Sequence, residues 1–265
     1  MNTQANTQYL SAPITGKTIW LTGATSGIGQ CLAKRLAAMG NYVIISGRRE
    51  IELKKLVDEH SEKMHALPMD VSDSQSTASV RQQLEDISDS LDMLIMAAGT
   101  AEYENDLEFD ITMYRRVFDA NFMGAVNTVS VALPLLRKAQ QKAHIVGISS
   151  LSVLVPFPRA EAYGSSKAAL EYFLNVLRSE LPPRKFDVTV VRPGFVTTPL
   201  TAKNDFPMPF EMPVEKAVDC IIKGVAKKKR QFSFPWTLAS ILTLFSWLPS
   251  VWYKFIAPKM KRNNL

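Results

Sequence analysis

The feature that most constrains the fold is a short apolar run followed by a glycine-rich turn and a helix. Thr18–Thr22 is rich in apolar and β-favouring residues, which is typical of a buried strand. Gly23–Gly29 follows, and the apolar spacing of Gln30–Met39 predicts a helix that ends at Gly40. In this order, the free N–H groups of a helix N-terminus face a turn tight enough to hold a dinucleotide pyrophosphate. The alternative is a flexible loop without a ligand.

Apolar runs and amphipathic stretches alternate along the rest of the chain. Further strands are predicted at 42–46, 65–69, 91–97, 144–148, 187–191 and 232–234, and helices at 51–62, 80–87, 110–138 and 161–181. Alternation of this kind predicts an α/β fold, a Rossmann-type doubly wound parallel sheet of about seven strands flanked by helices. We expect one domain over residues 1–265, with a core at about 16–235 and an apolar C-terminal helical extension at 236–265.

Tyr163 and Lys167 carry the chemistry that the sequence suggests most directly. Residues four apart lie on one face of a helix. A phenol has a pKa of about 10, and a nearby ammonium favours the phenolate, so we expect Lys167 to lower the pKa of Tyr163. A hydroxyl from another segment, such as Ser150, would hold a carbonyl oxygen beside the phenol. This pattern suits proton transfer to or from a C–O group, although a lone Tyr-x-x-x-Lys often arises by chance.

Taken in order, these motifs resemble the short-chain dehydrogenase/reductase family over nearly the whole chain, from about Gly16 to Pro235. The resemblance implies a catalytic set of Asn121, Ser150, Tyr163 and Lys167, in which Asn121 holds a water that links Lys167 to solvent. It also implies a nicotinamide cofactor site. That site comprises Gly23, Thr25, Ser26, Gly27, Ile28, Gly29, Asp70, Val71, Ala97, Ala98, Gly99, Tyr163, Lys167, Pro193, Gly194, Val196 and Thr198.

Two positions depart from the family pattern. Ala97 stands where relatives usually carry an asparagine, and losing one neutral hydrogen bond costs roughly 0.5–1.5 kcal/mol of binding. Val153 stands where a glycine commonly follows the catalytic serine by three, in an apolar loop over 151–159 that could narrow the pocket. Neither change removes a group that performs chemistry.

The cofactor preference follows from charge at the end of the second predicted strand. An acidic side chain there usually holds the free ribose hydroxyls, but Gly47 occupies the position and Arg48 and Arg49 follow. Guanidinium groups make charge-assisted bonds to a 2′-phosphate. We therefore expect NADP(H), with Arg48 as the primary contact. A solvated arginine pair without a cofactor role is the alternative.

These residues predict an NADP(H)-dependent oxidoreductase that acts on a carbonyl or alcohol carbon, with Tyr163 as general acid or base. The segment 199–212 has few charges, which favours either a small apolar substrate or ordinary packing of a lid against the core. The alternative function is a non-catalytic NADPH-binding sensor or scaffold that docks through its C-terminal tail. Cys31, Cys220 and the histidines lack metal-ligand spacing, so we expect no metal.

The tail is basic and apolar. Residues 227–265 include eight basic and no acidic side chains, and a helix over 236–248 would be roughly 20 Å long, too short to span a bilayer of about 30 Å. This pattern predicts either membrane-surface association through 236–262 or packing against the core or in a homodimer or homotetramer. Nucleic-acid binding is not expected, because the basic residues flank an apolar helix. Residues 1–13 lack an apolar signal segment, which predicts a cytoplasmic protein, at the inner membrane face if the tail binds lipid.

Overall fold

A computed structural model describes residues 14–60, 62–104 and 109–260. The strands are β1 (Thr18–Thr22), β2 (Tyr42–Ser46), β3 (Met64–Ala66), β4 (Met93–Met96), β5 (Ala143–Ile148), β6 (Phe186–Pro193), β7 (Val196–Thr197), β8 (Met212–Pro213) and β9 (Gln231–Phe234). The helices are α1 (Gly27–Ala38), α2 (Glu50–Glu59), α3 (Thr77–Ile87), α4 (Ile111–Phe118), α5 (Gly124–Leu136), α6 (Glu161–Glu180), α7 (Val214–Ala226), α8 (Trp236–Trp247) and α9 (Pro249–Val251). Residues 1–13, for which no signal segment is expected, lie outside the described residues. The tail cations Lys261 and Arg262 also lie outside them.

The predicted parallel sheet is confirmed. Seven strands pair in the order β3-β2-β1-β4-β5-β6-β9, and every pairing is parallel. One apolar cluster joins the sheet to α1, α2 and α7, and a second joins its other face to α3, α5 and α6. The sheet is therefore doubly wound, and its central strands are apolar on both faces because helices cover both. A separate parallel pair, β7 with β8, was not predicted.

Two predicted elements differ in detail from those observed. The single helix expected over 110–138 is interrupted by a wider π-helical turn at Asp119–Met123, which separates α4 from α5. The strand expected at 65–69 is β3, which ends at Ala66. Pro68 lies just beyond it and has no backbone N–H to donate to a neighbouring strand.

The tail packs its inner face against the core. Leu238 and Leu242 of α8, together with Trp252 and Ala257, form an apolar cluster with the loop that follows β5. The Trp252 indole also donates to the Pro156 carbonyl at 2.8 Å. Among the described residues, no helix is long and apolar enough to cross a membrane. The core-packing alternative is therefore correct for the inner face of the tail, and we propose that the tail and the core unfold together as one domain.

Two neighbouring residues of α8 test this packing. Leu242 is 4% exposed and Ile241 is 40% exposed, so the same truncation should have unequal effects. Leu242→Ala should lower the free energy of unfolding by about 2–4 kcal/mol, because a buried leucine leaves a cavity. Ile241→Ala should lower it by less than about 1 kcal/mol. Urea unfolding of both variants measures the difference, and a single transition is expected for each. Equal losses, or a separate early transition for the tail, would contradict this packing.

Candidate active site

The glycine turn after β1 is held against the loop after β4. Gly23 has a φ of +78°, and a Cβ added there would lie 2.5 Å from the Ala98 nitrogen. A Cβ added at Gly29 would lie 2.1 Å from the Gly23 carbonyl oxygen. Because no side chain fits at either position, the turn stays tight and runs directly beside Ala97 and Ala98. The structure thus brings these predicted cofactor residues to the carboxyl edge of the sheet.

The N-terminus of α1 is open to a ligand. Ser26 precedes the helix in an extended conformation, but its side chain makes no capping hydrogen bond, and the first turn has no acidic residue. The first N–H groups of the helix therefore lack a side-chain acceptor at the positive end of the helix dipole. Thr198 lies over this turn, since a Cβ on Gly27 would be 3.2 Å from the Thr198 Cβ. Ile28 packs against the core behind it.

The two arginines after β2 have different environments. The Arg49 guanidinium donates to the Thr25 carbonyl at 2.6 Å, which ties it to the glycine turn. The Arg48 side chain is 74% exposed, and its nearest acidic contact is Asp70 at 4.0 Å. Arg48 is therefore the arginine with more freedom to bind a ligand. Behind Asp70, the Val71 carbonyl accepts from the Asn127 amide at 2.9 Å, which fixes the loop after β3 to α5.

Ser150, Tyr163 and Lys167 are brought together at the end of β5. Ser150 follows the strand, and its hydroxyl interacts with the phenol of Tyr163 on α6. The Lys167 ammonium lies 6.0 Å from the centre of the Tyr163 ring and donates to the Ile148 carbonyl at 3.0 Å. A serine hydroxyl, a phenol and an ammonium thus meet where ligands bind in open parallel sheets.

The pKa values of this group depend mainly on burial. Burial raises the pKa of Tyr163, and the hydrogen bond from Ser150 only partly opposes this shift. Burial also lowers the pKa of Lys167 to about 8, while the charge of Glu171 acts in the opposite direction. The expectation that Lys167 lowers the pKa of Tyr163 is therefore wrong for the protein alone. The physical reason is that desolvation of the phenol is the largest effect, while the Lys167 ammonium donates to the Ile148 carbonyl.

Asn121 joins the loop after β4 to α6. It lies in the π-helical turn and is 1% exposed. Its amide oxygen accepts from the Thr100 N–H at 2.7 Å, and its amide nitrogen donates to the Thr100 carbonyl and to the Ser166 hydroxyl, both at 2.9 Å. A Cβ on the adjacent Gly99 would be 2.8 Å from the Asn121 oxygen and 3.2 Å from the Lys167 nitrogen. The side chain of Asn121 therefore holds the loop after β4 against α6, beside Lys167.

The last predicted segment, Pro193 to Thr198, contacts the tail. The Gly194 N–H donates to the Phe234 carbonyl at 2.7 Å, and a Cβ there would lie 3.0 Å from Leu238. Val196 is buried in β7. The loop at 151–159, expected to narrow the pocket, instead directs Leu151 and Val155 into the tail cluster. Its other side borders a groove of about 660 Å³ that neither Ser150 nor Tyr163 lines.

Sequence reasoning missed an ion pair behind Lys167. Glu171 is 5% exposed and accepts from both ends of the Arg192 guanidinium, with the Nε contact at 2.8 Å. Glu171 follows Lys167 by four residues, so the helical spacing that linked Tyr163 to Lys167 could have identified it. Arg192 comes from β6, and no local pattern in the sequence connects it to α6.

Tyr103 was also missed. Burial raises its pKa to about 12, and the next cause is the charge of Tyr163, so the two phenols are electrostatic neighbours. The Phe206 ring packs edge-on against Tyr103 at 5.2 Å and against Phe195 at 6.2 Å. Aromatic rings from three segments therefore cluster near Tyr163. Phe206, in the segment 199–212, is therefore in contact with two other aromatic rings.

Comparison with known proteins identifies the family. The sequence model of the short chain dehydrogenases matches residues 17–207. An uncharacterized oxidoreductase of Myxococcus xanthus is 33% identical over 253 residues, which covers 94% of this chain and all of the relative. Estradiol 17-beta-dehydrogenase 2 of Rattus norvegicus is 34% identical over 73% of this chain and 51% of its own length. This chain belongs to the short-chain dehydrogenase family. It is therefore an oxidoreductase of a family that uses a nicotinamide cofactor.

A solved structure agrees in fold. The short-chain dehydrogenase/reductase of Burkholderia phymatum, determined in complex with NAD, superposes on this chain with a TM-score of 0.81. The superposition covers 90% of this chain and 96% of the Burkholderia chain. Its sequence is 18% identical, so the likeness concerns the fold.

Removing the Lys167 charge should stabilise this short-chain dehydrogenase. With a pKa of about 8 in the folded protein against 10.5 unfolded, the buried ammonium costs roughly 3 kcal/mol at neutral pH. Its hydrogen bond to Ile148 returns about 1 kcal/mol. Lys167→Met should therefore raise the free energy of unfolding by about 1–2 kcal/mol, measured by urea unfolding at pH 7.

The pH dependence provides the control. Between the folded and unfolded pKa values of Lys167, the unfolded state binds more protons, so this residue makes stability rise with pH from about 8 to 10.5. The tyrosines titrate in both the wild type and Lys167→Met. Subtracting the pH dependence of the unfolding free energy of one protein from that of the other therefore leaves the contribution of Lys167. An identical pH slope in both proteins would show that Lys167 is not desolvated.

Proposed function

We propose that this protein is an NADP(H)-dependent oxidoreductase that transfers hydride between nicotinamide and a carbonyl or alcohol carbon of a small apolar substrate. The observation that carries the proposal is the meeting of Ser150, Tyr163 and Lys167 at the carboxyl edge of the sheet. A hydroxyl that orients an oxygen, a phenol that exchanges a proton with it and an ammonium nearby suit this reaction.

The residues at the glycine turn fit a dinucleotide. The α1 N-terminus has N–H groups without a side-chain acceptor, and glycines keep the Gly23–Gly29 turn free of side chains. When bound, the nicotinamide would donate or accept the hydride. The turn would hold the pyrophosphate, Asp70 would contact the adenine, and the segment from Pro193 to Thr198 would border the nicotinamide.

The polar side chains of the site would then have separate roles in binding and proton transfer. In the reductive direction, the Ser150 hydroxyl would donate to the substrate carbonyl oxygen, and the Tyr163 hydroxyl would give that oxygen its proton. Lys167 would bind the nicotinamide ribose. Asn121 would hold Thr100 and α6 in position around Lys167. The water relay that the family resemblance implies for Asn121 stays a prediction.

Preference for the phosphorylated cofactor is proposed from Arg48. Gly47 directly follows β2, where an acidic side chain usually holds the free ribose hydroxyls, and the exposed Arg48 guanidinium next to it would meet the adenosine ribose of a bound cofactor. Arg49 would support this contact by tying its segment to the carbonyl of Thr25. Because a 2′-phosphate is doubly charged, a guanidinium there favours NADP(H) over NAD(H).

An apolar substrate is proposed from the aromatic side chains near Tyr163. Tyr103 is an electrostatic neighbour of the Tyr163 phenol and packs against Phe206, which in turn packs against Phe195. Apolar walls with a few polar groups are typical of sites for small organic ligands. The similarity to a relative named as an estradiol dehydrogenase supports a polycyclic or aromatic substrate portion.

Removal of one phenol oxygen tests the reaction. Tyr163→Phe should lower turnover of NADPH with apolar ketones and aldehydes by about 10²–10⁴-fold, because general acid catalysis is lost. Its affinity for NADPH, measured by fluorescence titration, should stay close to that of the wild type. Tyr172→Phe makes the same change on the same helix at a residue that is 76% exposed, and its activity should be unaffected. NADPH binding without turnover in the wild type across such a panel would favour the sensor alternative.

A charge reversal tests the cofactor preference. Arg48→Asp should lower the ratio of NADPH to NADH affinity by about 10–100-fold, as expected for loss of a hydrogen bond worth about 1.5–3 kcal/mol with a charged group. Arg184→Asp changes the net charge equally at an exposed position before β6, and controls for long-range electrostatics. An unchanged ratio for Arg48→Asp would refute the assignment.

A further inference from the structure

The outer face of the tail is apolar and exposed. Trp236 and Trp247, at the two ends of α8, are 74% and 79% exposed. With Leu244 they lie on the side of the helix opposite the buried Leu238 and Leu242. Further large side chains extend this surface along the chain to residue 260. We call the exposed apolar residues of this segment the tail surface: Trp236, Ile241, Leu244, Trp247, Leu248, Val251, Tyr253, Phe255 and Met260.

Two of the hydroxyl groups on α8 are paired within the helix. Thr243 donates to the Ala239 carbonyl at 2.7 Å, and Ser246 donates to the Thr243 carbonyl at 2.7 Å. A hydroxyl that is paired within its own helix loses little when it leaves water, whereas an unpaired one costs several kcal/mol in hydrocarbon. Thr243 and Ser246 are therefore compatible with contact to an apolar phase.

The charged residues of the tail segment itself are all positive. No acidic residue occurs in 227–265, and Lys254 and Lys259 stand among the exposed apolar side chains. The basic run at 227–230 lies at the other end of β9 from α8, where Lys228 pairs with Asp187 at 3.4 Å. The sequence expectation of basic flanks on both sides of the helix is thus corrected. Among the described tail residues, the cations beside the apolar surface are Lys254 and Lys259.

We propose that the tail surface binds an anionic lipid bilayer, with α8 lying in the plane of the interface. At 1.5 Å per residue, the twelve residues of α8 extend about 18 Å, too short to cross a hydrocarbon core of about 30 Å. Tryptophans at both helix ends suit the headgroup level, and lysines beside them suit phosphatidylserine. This arrangement matches an interfacial amphipathic helix whose other face is buried in protein.

The charge of the tail surface favours an anionic bilayer over a second copy of the chain as its partner. In a two-fold dimer the same surface meets itself, so Lys254 and Lys259 would approach a second copy of the same positively charged segment. The segment 227–265 offers no carboxylate to neutralise them. An anionic membrane supplies both the apolar phase and the missing negative charge, and such lipids are concentrated in cytoplasmic leaflets.

Vesicle binding by the full-length protein tests the proposal. The protein should co-sediment with phosphatidylcholine vesicles that contain phosphatidylserine, and much less with phosphatidylcholine alone. Trp20 and Trp252 are buried, at 0% and 2% exposed, so a blue shift of tryptophan emission on binding should come from Trp236 and Trp247. The double variant Lys254→Gln/Lys259→Gln should lower the partition coefficient by about 25-fold, at about 1 kcal/mol for each lysine.

Matched apolar variants identify the surface. Leu244→Ser/Trp247→Ser should lower the partition coefficient by at least about tenfold, since two interfacial side chains are removed. Ile51→Ser/Tyr172→Ser removes residues that are 72% and 76% exposed outside the tail, and vesicle binding should persist. Thermal unfolding of each variant checks that the fold is intact.

The proposal would be overturned by failure to bind anionic vesicles, by equal binding to phosphatidylcholine alone, or by equal losses from the tail and control variants. Light scattering tests the alternative that a second copy of the chain covers the tail surface. A dimer that dissociates in Leu244→Ser/Trp247→Ser would assign the tail surface to a second copy of the chain and overturn the membrane assignment. None of these measurements depends on turnover, so they are independent of the proposed reaction.

Discussion

Burial of the Lys167 ammonium is the constraint on which the rest of the site depends. A desolvated charge persists only where several groups compensate it. Here the Ile148 carbonyl accepts its hydrogen bond, Glu171 faces it electrostatically, and Arg192 in turn neutralises Glu171. These partners come from β5, α6 and β6, so the lysine is held only when the carboxyl edge of the sheet is assembled. A buried cation of this kind costs stability, and the role we propose for it is to place a charge beside a phenol and the proposed ribose site.

Glycines at the same edge of the sheet allow neighbouring segments to approach each other closely. Gly23 allows the turn after β1 to contact the backbone at Ala98, and Gly99 leaves space for both Asn121 and Lys167. The π-helical turn directs Asn121 toward Thr100 and Ser166, and such turns often occur at functional sites. Close backbone approach and one irregular helical turn thus connect the proposed pyrophosphate site to the proposed proton-transfer site without a long polar network.

Elements with strong local patterns could be predicted from the sequence. The order of the seven sheet strands and of the helices as far as α6, the glycine turn and the face shared by Tyr163 and Lys167 all follow from periodicity and spacing, whereas α7 and the β7–β8 pair were not predicted. The direction of the Tyr163 pKa shift could not be predicted, because it depends on how much water the folded chain removes from the phenol. Arg192 and Tyr103 were missed for a related reason. Their places in the site come from pairings between segments far apart in the chain, and single-sequence patterns carry no information on those.

The tail shows why apolar composition alone does not identify a partner. Some of its apolar residues are accounted for by folding, because Leu238 and Leu242 pack in one cluster with Leu151, and Leu238 also contacts Gly194. That packing explains why the loop after Ser150 is apolar in this chain. It leaves the opposite side of α8 without a partner among the described residues, although two exposed tryptophans are unfavourable in water. Since the buried side is fixed to the segment that borders the proposed nicotinamide site, any phase that covers the outer side lies one helix diameter, about 10 Å, from that segment. An apolar substrate dissolved in a membrane would therefore be concentrated close to the proposed site.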